Sequence, residues 1–365
     1  MRQPVRIAII GCGWAGLRHA RACQAVGVRV SWAVDLDSTR AQQVCDSLGS
    51  DGMDTRITSD VQQVLHDSTT DAVSLCLPHN LHAPVAIEAA EKGKHILVEK
   101  PLAANLAQAD AMIASAGQSG LILMVAENVR FHPIYLKISD LIQSGLIGKP
   151  AFIHISRQAY LRADFISNRP WFLDEEQAAG GMMMSGGIHD FETMRMLIGD
   201  VESVYSLRAP QRFLEMEGDD TSIALVGFRN GVVGMLDESF ISKRLTTAAG
   251  PEVHTIRIEG SLGSITWDGG QTIRLFTECP IPEFAGALSA HDIHVPEQDT
   301  FVAIYEHFMA CIHAGQEPLT SGRSQRHALA AVEAAYQSMK SGLPVIVDKT
   351  EPNMLNKKGR SDGEL

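Results

Sequence analysis

A chain of 365 residues, 45% hydrophobic and 20% charged, has ordinary globular usage and suits two cored domains better than one. Its 31 Lys and Arg stand against 43 Asp and Glu, a net charge of −12; such a surface repels phosphates and anionic lipid, so neither nucleic acid nor membrane is an expected partner. No stretch approaches the roughly 20 apolar residues of a membrane span.

Val5–Ile10 is an unbroken apolar run, as in a strand covered on both faces. It is too brief for a signal peptide and runs straight into a glycine motif. Leu17–Val26 reads as helix, Val28–Val34 as strand, and Ser38–Leu48 as helix capped by Asp37 or Ser38. Val61–His66 is a short helix, Ala72–Leu77 a buried strand, and Leu81–Lys92 a helix ended by Gly93. His95–Val98 is strand. Asn105 and Gln108 form a capping box for a helix to Ala116, and Leu121–Ala126 is the next strand. Strands alternating with helices imply βαβ units and a parallel sheet.

The rhythm changes after Phe131. Ile134–Ser144 and a segment around His189–Leu197 read as helices. Between them and beyond lie strands at Ala151–Ser156, Val204–Arg208, Ser222–Phe228, Val232–Phe240, His254–Glu259, Ser264–Trp267 and Thr272–Phe276. Asn230-Gly231 and Gly269-Gly270 are hairpin turns, and helices at Thr300–Ala314 and Gln325–Ser341 close the chain. The expected architecture is α/β: a doubly wound parallel-sheet domain over 1–125, then an α+β domain over 126–350 with a large, mostly antiparallel sheet. Residues 351–365 read as a polar tail. The six cysteines, without CxxC pairs, suggest reduced thiols in a cytoplasmic protein and no metal.

Gly11-Cys12-Gly13-Trp14-Ala15-Gly16 fits GxGxxG directly after a strand and at the opening of a helix. Gly11 allows the tight turn, Gly13 lets backbone approach a pyrophosphate, and Gly16 permits close helix–strand packing. Asp35 ends the second strand about 20 residues on, where an acid meets ribose hydroxyls. It would repel a 2′-phosphate and Leu36 anchors none, so NAD is favoured; Arg40 keeps NADP open.

The fifth strand leads into Glu99-Lys100-Pro101. With the glycine fingerprint, this resembles the Gfo/Idh/MocA family of glucose–fructose oxidoreductase and inositol dehydrogenase. Pro78 and His82 match its Pro-x-x-x-His, Arg130-Phe131-His132-Pro133 its Arg-x-x-Pro, and Gly180-Gly181 with Gly187-Ile188-His189 its Gly-Gly…Gly-x-His. The resemblance implies a Rossmann domain, an open-faced sheet that pairs subunits into homodimers or homotetramers, and hydride exchange between nicotinamide and a sugar or cyclitol hydroxyl. It places Pro78, His82, Glu99 and Lys100 at the cofactor, and Lys100 and His189 at the reacting oxygen. Chemistry agrees for Lys100: oxidising an alcohol removes a proton as hydride leaves, and reducing a ketone needs an acid beside the alkoxide.

The family's Asp four residues before the histidine is Ser185 here, and serine cannot stabilise an imidazolium by charge. Glu192, three residues beyond His189 on one helix face, is a candidate substitute. Tyr160, Arg157, Arg169 and Trp171 are candidates for the substrate pocket. Met182-Met183-Met184 reads as packing, and His291 with His294 lacks a third metal ligand. Two further readings stand beside the dehydrogenase: glycoside cleavage through transient oxidation, and a non-catalytic dinucleotide-sensing regulator.

Overall fold

A computed structural model of the chain describes residues 5–243, 252–279 and 289–348; the expected polar tail at 351–365 lies outside them. The first half alternates β1 (Arg6–Ile10), α1 (Trp14–Ala25), β2 (Arg29–Val34), α2 (Ser38–Ser47), β3 (Arg56–Thr58), α3 (Val61–Leu65), β4 (Ala72–Leu75), α4 (His82–Glu91), β5 (His95–Val98), α5 (Leu106–Gln118) and β6 (Leu123–Val125). The strands form one parallel sheet in the order β3-β2-β1-β4-β5-β6. The order reverses between β1 and β4, and a crevice opens there at the carboxyl ends of the strands.

β1 shows why the run is apolar throughout. Ile7 and Ile9 join one core cluster, while Ala8 and Ile10 join another on the opposite face, because successive side chains of a strand point to opposite sides. Asn105 caps α5, accepting from the Gln108 N–H at 3.0 Å. Asp37 caps α2 in the same manner.

The second half contains α6 (Pro133–Gln143), β7 (Pro150–Ala159), α7 (Arg162–Asn168), α8 (Glu175–Ala178), α9 (Ile188–Leu197), β8 (Val201–Arg208), β9 (Thr221–Phe228), β10 (Val233–Ser239), β11 (Glu252–Gly260), β12 (Gly263–Trp267), β13 (Thr272–Thr277), β14 (Ser289–His294), α10 (Thr300–Ala314), α11 (Gly322–Ser341) and β15 (Val345–Ile346). Its sheet runs β14-β13-β12-β11-β7-β10-β9-β8-β15. β7 and β10 are parallel, and the other pairs are antiparallel. One face is buried, with α11 packed on β8. The other leaves Leu207, Leu225 and Val233 more than half exposed.

The last two helices also reach the first domain. α10 packs on α1 through Phe301, Ile304 and Phe308, and α11 touches α5 as well as β8 and α9. The edge strands β3, β14 and β15 were not anticipated. Nor were α7, α8 and a 3₁₀ turn at Pro170–Leu173, which follow no apolar period. Met182–Met184 are buried as expected, at the start of a π-helical turn over Met183–Gly187 that runs into α9. All six cysteines are free. Among the described residues no helix is long and apolar enough to cross a membrane, and no cluster has metal-ligating composition.

Candidate active site

The glycine turn between β1 and α1 is shaped by backbone crowding. Gly11 sits at φ +91°, and a Cβ there would lie 2.2 Å from the Cys76 carbonyl oxygen, so only glycine fits. A Cβ on Gly16 would meet the Gly11 carbonyl oxygen at 2.0 Å. One on Gly13 would meet nothing within 4 Å. No side chain caps the first turn of α1 and no acid occupies it. An open bend leading to free N–H groups suits a pyrophosphate.

Asp35 lies just past β2. Its Oδ2 accepts the Cys12 N–H at 2.8 Å and its Oδ1 the Asp37 N–H at 2.9 Å. The carboxylate is thereby pinned beside the turn, where a ribose hydroxyl would reach it. Arg40 lies 3.7 Å from the Asp37 carboxylate, both half-exposed. The residues present therefore fit a dinucleotide.

Two adjoining cavities open from this turn. The smaller, about 550 Å³, runs from Asp35, Leu36 and Arg40 past Gly11, Gly13, Ala15 and Pro78 to Lys100 and Trp171. The larger, about 980 Å³, is lined by Cys12, Asn128, Arg157, Tyr160, Ser185 and His189 among others. Trp14, Glu99 and Lys100 line both. The lysine stands at the seam.

Lys100 follows β5, and its Nζ donates to the Ser185 carbonyl oxygen at 2.8 Å. Burial lowers its pKa; the charges of Glu99 and Glu127 oppose that shift, and Arg157 and Arg169 reinforce it. Glu99 accepts from its neighbour's backbone N–H and lies 3.0 Å from His19 Nε2. Burial would raise its pKa, but the His19 hydrogen bond and nearby positive charge hold it below the usual carboxylate range.

His189 enters the larger cavity from the first turn of α9. Its Nδ1 lies 2.6 Å from Oε1 of Glu127, which follows β6 and is fully buried. Glu192 does not take that position, which corrects the i+3 expectation. It is buried between Arg130 and Arg195, whose guanidinium groups claim its two oxygens. Arg157 is held in a two-pronged contact with Asp190 at 2.8 Å, and also reaches Glu252. Arg169 pairs with Asp164.

Two expected residues lie elsewhere. His82 lines neither cavity. It opens α4 fully buried, with ring nitrogens 2.8 Å from the Pro101 carbonyl oxygen and 3.0 Å from that of Leu77, and so supports the loops behind the cleft. Trp171 faces the smaller cavity, stacked on Phe172 at 4.0 Å and edge-on to His79 at 5.0 Å. Cys12 is buried, and burial with the Asp35 charge pushes its thiol up to about 12, so it is no nucleophile at neutral pH.

Glu127 and His19 escaped the sequence reading. Glu127 is 62 residues from its histidine, and no local spacing announces that pairing. His19 carried a signal: it follows Gly16 by three residues, on the buried face of α1.

Two family models match the chain. One, described as an oxidoreductase family with an NAD-binding Rossmann fold, covers residues 5–127; the other, the GFO/IDH/MocA C-terminal domain, covers residues 135–266. A scyllo-inositol 2-dehydrogenase (NAD(+)) of Bacillus subtilis is 30% identical over 95% of this chain and 98% of its own. A myo-inositol 2-dehydrogenase of Thermotoga maritima is 27% identical over 92% and 96%. The solved structure of a levoglucosan dehydrogenase with NADH superposes with a TM-score of 0.83, covering 95% of this chain and all of that one; at 21% identity it speaks for the fold alone.

Proposed function

Because the chain belongs to the Gfo/Idh/MocA family of oxidoreductases, with an NAD-binding Rossmann fold, we propose that it moves a hydride between NAD and a secondary hydroxyl or ketone of a sugar or cyclitol. The observation that carries this reading is the position of Lys100 on the wall common to both cavities. Gly11, Gly13, Gly16 and Asp35 would hold the dinucleotide, with its far end beside Pro78 and Lys100. When bound, the nicotinamide supplies the hydride acceptor or donor.

The chain's own side chains then manage the proton. Uncharged, Lys100 takes the hydroxyl proton; charged, it returns one to an alkoxide and stabilises it. His189 stands beside the same cavity as a second proton carrier. Arg157 and Arg169, already paired with carboxylates, offer hydrogen bonds without a surplus charge, which suits a neutral polyol better than a phosphate or an acid. Asp35 and the Asp37–Arg40 pair favour NAD over NADP.

The exposed apolar face of the second sheet, with Leu207, Leu225 and Val233, would be covered in a homodimer or homotetramer, since a large bare apolar face marks an interaction surface. Free thiols suit a reducing cytoplasm.

The test is a panel of sugars, sugar phosphates and inositols, offered with NAD and NADP separately and followed by absorbance of the reduced cofactor. Turnover of neutral polyols with NAD is expected. Reduction of neither cofactor by any polyol, and no oxidation of NADH by the matching ketones, would remove the proposal.

A further inference from the structure

His189 receives its carboxylate partner from the end of the other sheet. Its ring lines the larger cavity, and Nδ1 is 2.6 Å from Glu127 Oε1. Among the described residues, Nε2 makes no hydrogen bond. Glu127 is fully buried; Oε1 also accepts the Val129 N–H at 3.3 Å, while Oε2 has no partner. A buried carboxylate with an orphaned oxygen is an expensive arrangement, and the paired imidazole is what compensates it.

Other carboxylates near the ring are engaged. Asp190, next in sequence, turns to Arg157 and lies 3.1 Å from His254 Nε2. Glu192 is held between Arg130 and Arg195. Ser185, one helical turn before His189, has a hydroxyl with no hydrogen bond among the described residues, while its carbonyl accepts from Lys100.

We propose that Glu127 is the positioning residue of this site. Its carboxylate accepts the Nδ1–H of His189 and so fixes the tautomer whose bare Nε2 faces the larger cavity. The proton is then conserved in a closed exchange: the one that Lys100 takes from the substrate hydroxyl as hydride departs passes on to Nε2, and the resulting imidazolium, balanced by Glu127, gives it back in the reverse direction. The tautomer follows from general chemistry, since the bond made by one ring nitrogen decides which carries the proton. Because Glu127 follows β6 and His189 belongs to α9, the pair exists only while these two elements are docked. The role rests on the hydride-transfer reading above, but the tautomer does not.

The experiment uses the full chain and two readouts. Nitrogen-15 NMR, with the His189 signals assigned by their loss in His189→Asn, reads the tautomer without any substrate. Steady-state kinetics with the best polyol reads kcat and the KM for NAD. The wild type is expected in the Nδ1–H form. Glu127→Ala should lose that form and about 100-fold in kcat, the ordinary worth of a proton-transfer group, with KM for NAD unchanged. Adding Ser185→Asp, which puts a carboxylate one turn from the ring, should restore at least about ten-fold. Should the alanine variant not fold, Glu127→Gln keeps the shape without the charge and should still lose about ten-fold or more. An Nε2–H tautomer in the wild type, or kcat within about two-fold of wild type in a folded Glu127 variant, would overturn the proposal. If no polyol is turned over, hydride transfer falls while the NMR arm still decides Glu127.

Discussion

Lys100 Nζ and the Ser185 carbonyl oxygen, 2.8 Å apart, tie the end of β5 to the π-helical turn that leads into α9. The lysine is thus held at the seam of the two cavities by backbone and not by a carboxylate. Replacing it by methionine keeps the length and removes the proton and the charge. Lys100→Met should lower kcat by at least about 1,000-fold, within the range of general acid–base groups acting with charge stabilisation. The NAD dissociation constant should stay within about three-fold, because the glycine turn and Asp35 are untouched. Single-turnover hydride transfer and calorimetric binding separate the two, and a variant that kept its turnover would remove Lys100 from the chemistry.

The same burial predicts a pH dependence. Desolvation lowers the Lys100 pKa, Glu99 and Glu127 oppose the shift, and Arg157 and Arg169 add to it. Alcohol oxidation needs the uncharged amine, so its kcat/KM should rise with pH through a limb lying below the roughly 10.4 of a free lysine. Ketone reduction needs the ammonium and should fall through the same limb. Arg169→Met removes a nearby positive charge, so its limb should move to higher pH. An unmoved limb, measured in both reaction directions, would assign it to another group.

What could be read from the amino acids follows the range of the interactions involved. β1, the glycine turn, α1 and Asp35 are legible because all lie within 30 residues and follow local periods. Lys100 is legible through its motif. Glu127 is not, since only tertiary folding brings it to His189. The i+3 rule pointed to Glu192, but two partly buried arginines hold that carboxylate instead. The turns of α7 and α8 were missed because a helix of four to seven residues hardly establishes a period. β15, two residues long, is held by pairing with β8.

Glu238 makes a stability prediction. It is buried beside Asp190, and among the described residues no donor reaches either of its oxygens. Burial first, then the Asp190 charge, raises its pKa well above the ordinary value. Since the folded value exceeds the unfolded one, its contribution is complete below about pH 4.3. It is lost progressively as pH rises towards the folded pKa. Glu238→Gln cannot titrate, so its melting temperature should gain on the wild type between pH 5 and 8. The gain should be on the order of a few degrees. A difference in melting temperature independent of pH would contradict the assignment.

Gly13 and Gly16 separate cofactor contact from folding. A Cβ on Gly16 would stand 2.0 Å from the Gly11 carbonyl oxygen, a backbone atom that cannot give way without opening the turn. Gly16→Ala should therefore lower the melting temperature and weaken NAD binding together. At Gly13 a Cβ meets nothing within 4 Å, and its φ of −72° is open to alanine. Gly13→Ala should leave stability unchanged or improve it by a few tenths of a kcal/mol, through a less flexible unfolded chain. Its methyl group would nevertheless occupy the space a pyrophosphate needs, so the NAD dissociation constant should rise at least about ten-fold. Thermal melts without cofactor and calorimetric titration with NAD measure the two effects separately. If Gly13→Ala bound NAD as the wild type does, the open space beside the turn would not be where the dinucleotide lies.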